Sequence, residues 1–115
     1  MRTLNDYFIP FKITDVSTAG QVYVPVPDGG KIIKVITALN GAIGTADAVL
    51  TLKIGGAAVT GGTVTITQSG SAAGDVDSCV PTAANEVLED GSIEIETNGA
   101  SSNAISVDGV IIVRR

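Results

Sequence analysis

Apolar side chains recur at every second position along most of this chain, and such alternation buries one face of a β-strand rather than one stripe of a helix. Tyr7, Ile9, Phe11 and Ile13 share one face of such a run; Val22, Val24 and Val26 share another, and Leu50, Leu52 and Ile54 a third. Val64 and Ile66 alternate with Thr63, Thr65 and Thr67, and Ile93 and Ile95 alternate with Glu94 and Glu96. Turn formers separate the runs: Asp28-Gly29-Gly30, Gly55-Gly56, Gly61-Gly62, Asp90-Gly91 and Asn98-Gly99. Composition points the same way, since 14 Val, 13 Ile and 12 Thr stand against 5 Leu in 115 residues, a mixture that favours strands. The expected class is all-β, an antiparallel β-sandwich of about seven or eight short strands with Greek-key or jelly-roll-like connections.

The length is that of one domain, expected over residues 7–115, behind a flexible N-terminal arm of residues 1–6. Pro10 removes a ladder donor and predicts that the first strand lies at a sheet edge. Lys31 to Asn40 is apolar on both faces, with Ile33, Val35 and Leu39 against Ile32, Ile36 and Ala38. That is the pattern of a strand covered on two sides, placed centrally or at a subunit contact. Gln68 to Ala84 has no usable period and is the longest irregular segment, so it ranks first as a functional loop. Pro81 to Leu88 has room for one helical turn, and Gly109 is expected to mark a bulge in the last strand.

Several kinds of chemistry are excluded early. There is no His, which removes imidazole acid/base catalysis, Ser/His and Cys/His pairs and histidine-containing zinc sites. The single cysteine, Cys79, has no internal partner for a disulfide. A net charge of −5 with 7 Lys and Arg gives no footprint for nucleic acid, and stacking platforms for single strands are missing. The longest aliphatic run, Val110 to Val113, is far short of the roughly 20 residues of a spanning helix. No apolar h-region follows Met1-Arg2-Thr3, so assembly inside the cell, with Cys79 reduced, is expected and no membrane partner is.

Local candidates are weak. Asp75, Asp77 and Ser78 supply loop oxygens of the kind calcium uses, without the ligand spacing of an EF-hand, and solvated turn residues explain them better. Glu94 and Glu96 on one strand face read as solubilising charges, with no aromatic platform to hold a sugar between two acids. Cys79 reads as a small buried filler, the glycine pairs as turns, and Arg114-Arg115 as a solvated end or a contact for an acidic partner. No enzyme activity, cofactor or metal is expected.

The run Ala48-Val49-Leu50-Thr51-Leu52-Lys53-Ile54-Gly55-Gly56-Ala57-Ala58-Val59-Thr60-Gly61-Gly62-Thr63-Val64-Thr65-Ile66, then Pro81 to Val87 and Gly91 to Ile95, resembles the small head proteins of tailed bacteriophages known as decoration or cement proteins. The resemblance covers roughly residues 30–113 and lies in turn and strand patterns. It implies a β-rich structural protein of the virion that binds the outside of the capsid, with the major capsid protein as partner. It also implies self-association, often as trimers, and assembly in the host cytoplasm.

Residues 1–11 hold three of the four aromatics, and aromatics are enriched among interface anchors. Tyr7, Phe8 and Phe11 are therefore the expected capsid contacts, with Asp75 and Asp77 of the long loop as further candidates. The structural alternative is that these rings plug one end of the sandwich. The competing function is a receptor- or glycan-binding module of a virion fibre, recognising sugar through Gln68 to Ala84; low aromatic content counts against it.

Overall fold

The computed structural model describes residues 4–115, so the first three residues of the expected arm lie outside the described residues. Nine strands follow: β1 (Asp6–Ile13), β2 (Gly20–Pro25), β3 (Gly30–Leu39), β4 (Ala48–Ile54), β5 (Ala57–Ile66), β6 (Val76–Cys79), β7 (Glu86–Val87), β8 (Ser92–Thr97) and β9 (Val107–Arg114). They form two antiparallel sheets packed face to face. Sheet A has the order β1-β9-β3-β6, with β7 also on β3, and sheet B has the order β2-β8-β4-β5. The architecture is an all-β sandwich.

Alternation set the inner faces. Ile9, Phe11 and Ile13 of β1 are buried, as are Leu50 and Leu52 of β4, Val64 and Ile66 of β5, and Ile93 and Ile95 of β8. Each fully buried Ile or Leu contributes about 1.5–3 kcal/mol of transfer free energy, which is how a core almost without rings holds together. β1 lies at a sheet edge, the position in a sheet where a proline without an N–H is tolerated. The hairpin between β4 and β5 turns at Gly55 and Gly56, both at positive φ (60° and 84°), the geometry a two-residue loop of this hand requires.

Five local expectations change. Asp6, assigned to the arm, is the first residue of β1; its carboxylate lies 2.8 Å from Nε of Arg114, across the pair with β9. Gly61-Gly62 does not end a strand, because β5 runs through it. The β4–β5 register steps from Thr51↔Thr63 to Lys53↔Ala58, and the looped-out Thr60 pairs with Ala83 instead. Part of the irregular segment is ordered, as β6, on the flank of β3, and 81–88 holds an isolated bridge and β7 rather than a helical turn. Gly109 stays in unbroken register with Phe11, and the bulge falls in β3, between Ile32 and Lys34.

That bulge re-phases β3. Ile32, Val35, Thr37 and Leu39 all point inward and are buried, which corrects the expected grouping of Ile32 with Ile36 and Ala38. Asn85 holds the irregularity in place. Its carbonyl accepts the Ile32 N–H (2.9 Å) and its side-chain amide donates to the Ile32 carbonyl (2.7 Å), so both backbone groups of the residue before the bulge are satisfied.

Candidate functional site

The two outer faces of the sandwich differ in chemistry. Outside sheet B, Gln21 and Tyr23 of β2, Glu94 and Glu96 of β8, Thr51 and Lys53 of β4, and Thr63 and Thr65 of β5 meet solvent or are half-buried. Lys53 Nζ lies 3.1 Å from Glu96 Oε2 there. This is an ordinary wet face.

Outside sheet A, the register lines up apolar groups in rows across four strands. One row runs Phe8, Ile112, Lys34. The next runs Pro10, Val110, Ile36, Ser78, and the third Lys12, Asp108, Ala38, Val76. Phe8 is 57% exposed and Val76 65% exposed, while Ile36, Ala38 and Val110 are partly exposed. Ile112 is buried yet stands outside the main core cluster; its cross-strand neighbours are Phe8 on one side and Lys34 on the other. Beyond the bulge, Ile33, Val87 and Leu88 line an open groove of about 670 Å³ with Lys31, Arg114 and Arg115 at its edge. A fourth row on the same face is charged, Asp6, Arg114, Lys31 and Glu86, and the apolar patch between it and the Lys12–Asp108 pair, which no other element of the described chain covers, marks an interaction surface.

The two-sided apolarity of Lys31 to Asn40 came from this arrangement. β3 is central, and its outer side chains project into an uncovered face. The same signal is present in Val110-Ile111-Ile112-Val113, apolar on both sides of β9.

The expected contacts separate. Phe8 belongs to the outer face of sheet A. Phe11 does not: it points inward, is buried, and packs over Gly109, so it is a core residue and not a surface anchor. Tyr7 is half-buried at the end of β1, where its hydroxyl donates to the Asp28 carbonyl and the Arg115 guanidinium lies 4.9 Å over its ring. Burial, then the Asp28 charge, raises its phenol pKa.

Asp75 and Asp77 stand at the start of β6. An oxygen of Asp75 accepts the Ala72 N–H at 2.9 Å, so it closes its own loop, and the Asp77 backbone carbonyl accepts the Thr37 hydroxyl at 3.3 Å. Burial and then the neighbouring Asp75 raise the Asp77 pKa. Among the described residues no three His, Cys, Asp or Glu side chains gather as a metal site, and no helix is long and apolar enough to cross a membrane. Val76, Ile36 and Val110 of the apolar face were not singled out from sequence as contacts, because their proximity depends on strand order.

No family model matches the chain, and no curated protein sequence matches it significantly. Among solved structures, it is similar to a chain of the acidic stable capsid structure of Helicobacter pylori bacteriophage KHP30, with a TM-score of 0.54 and 13% sequence identity over 96% of this chain and 87% of that one. The likeness is one of fold. It spans the whole sandwich, both sheets included.

Proposed function

We propose that this chain is a structural protein of a bacteriophage virion, which binds the outer surface of the capsid and stabilises the lattice of the major capsid protein. The observation that carries the reading is the uncovered apolar face of sheet A, set on a rigid sandwich whose opposite face is polar. A module that clamps a shell needs such a face and a stiff body; it needs no acid, base, cofactor or metal. The fold likeness to a chain of a phage capsid structure supports a virion setting, and the decoration-protein resemblance of residues 48–66, 81–87 and 91–95 supports the finer role. Self-association, as a homotrimer on the capsid exterior, is part of the same proposal, with neither nucleic acid nor membrane as partner.

Density-gradient purification of particles, with mass spectrometry of this chain relative to the coat protein, tests the reading. Copy numbers comparable to the coat protein in genome-filled heads support it. A handful of copies per particle points instead to a fibre or portal position, and absence from particles removes the virion reading.

A further inference from the structure

We infer that the outer face of sheet A docks a protein surface in which a carboxylate sits among apolar side chains, and that Lys34 meets that carboxylate. The inference deepens the capsid-binding reading and rests on it. Lys12 lies 3.5 Å from Asp108, Lys31 3.9 Å from Glu86 and Lys53 3.1 Å from Glu96. Arg114 lies 2.8 Å from Asp6 and Arg115 2.6 Å from Asp28. Lys34 is the one described lysine or arginine without an acidic partner in the chain.

Its position makes that exceptional. Lys34 projects from a central strand, with Ile112 directly across on β9 and Ile36 next along the same face. The outer face as a whole carries Lys12, Lys31, Lys34 and Arg114 against Asp6, Glu86 and Asp108, which leaves one cation over, in a chain of net charge −5. The aliphatic stem of Lys34 can cover Ile112 while its ammonium stays in water, and that suffices for the free chain. Once a partner covers the face, an ammonium enclosed by apolar groups loses its hydration, a cost that only a facing anion or strong acceptors offset.

A second copy of this chain is a poor occupant. Across a two-fold contact through Lys34 the acids of each outer face are already held, Asp108 by Lys12 and by the Asn40 amide at 3.0 Å, Asp6 by Arg114 and Glu86 by Lys31, and the Lys34 side chains would approach one another. A partner with its own carboxylate fits the unpaired charge.

The test uses the full chain, and as probe the capsids of the phage that encodes it, stripped of this protein. Binding is measured by co-sedimentation for the wild type, Lys34→Met, Lys34→Glu, Val110→Asp and, on the opposite face, Thr65→Asp, with the thermal midpoint of each checking that it folds. The expected result is a loss of about tenfold for Lys34→Met, at least about a hundredfold for Lys34→Glu, and a wild-type affinity for Thr65→Asp. Wild-type binding that survives Lys34→Glu and Val110→Asp unchanged overturns the inference while leaving capsid binding intact. A Val110→Asp variant that turns an oligomer into a monomer, with capsid binding untouched, assigns the face to a second copy and also overturns it. Failure of the wild type to bind the stripped capsids removes the proposed function and this inference together.

Discussion

The ring of Phe11 on β1 lies over Gly109, its register partner on β9, so closely that a methyl group at Gly109 would overlap the ring. An aromatic laid across a glycine fills the space the missing side chain leaves and ties an edge strand to its neighbour. Gly109→Ala is expected to destabilise the sandwich by about 1–3 kcal/mol through overpacking, and Phe11→Ala by about 3–5 kcal/mol through a cavity. Placing Gly109→Ala in a Phe11→Leu background should cost less than in the wild type, since the smaller side chain can yield. Urea midpoints of the four proteins check this; equal costs in both backgrounds would separate the two residues.

Asn85 satisfies both backbone groups of Ile32 beside the β3 bulge. Asn85→Ala should leave the buried Ile32 carbonyl without its donor and cost about 1–3 kcal/mol. Asn85→Asp should cost more at neutral pH, because it sets a carboxylate against that carbonyl. Chemical denaturation measures both, and a neutral Asn85→Ala variant would contradict the assignment.

Two aspartates give opposite pH signatures. Hydrogen bonds from Ser17, by its hydroxyl and its N–H, hold Asp15 below the ordinary 3.8. The folded state therefore prefers that carboxylate, a stabilisation present above pH 3.8 and lost as pH falls through the lower folded value. Asp77 is raised above 3.8 by burial and by Asp75, so its preference for the neutral acid stabilises fully below 3.8 and is lost as pH rises through the raised value. At pH 7, Asp15→Asn should lower the melting temperature and Asp77→Asn should raise it. Both differences should shrink as the pH falls and each carboxylate takes up its proton.

Cys79 is half-buried in β6, and burial raises its thiol pKa above the ordinary 9.0. At about pH 8 the thiolate fraction is correspondingly small, and alkylation should run at least about tenfold slower than for an unstructured cysteine peptide. Denaturant should restore the ordinary rate. Rapid labelling of the folded chain would show that β6 opens from β3.

Local pattern carried much of this protein. Alternation placed Ile9, Phe11 and Ile13 on one face and, by the same period, Phe8 on the other; grouping Tyr7, Phe8 and Phe11 as one anchor set followed their closeness in sequence and ignored that parity. The glycine pair at 55–56 announced its hairpin because both residues adopt positive φ without penalty. The four-residue β6 sat among Gly, Ser and Ala without a repeat long enough to show, and only the flank of β3 made it a strand.

The sequence by itself determined an all-β chain, which side of most strands faces inward, and a two-sided apolar β3, because these depend on neighbours one and two positions away. The tertiary structure alone decided that β9 lies between β1 and β3, that the bulge falls between Ile32 and Lys34 and not at Gly109, and that Phe8, Val110, Ile36 and Val76 share one face with Lys34. Strand pairing joins residues as far apart as Phe8 and Ile112, and no local period encodes which distant strand supplies the partner.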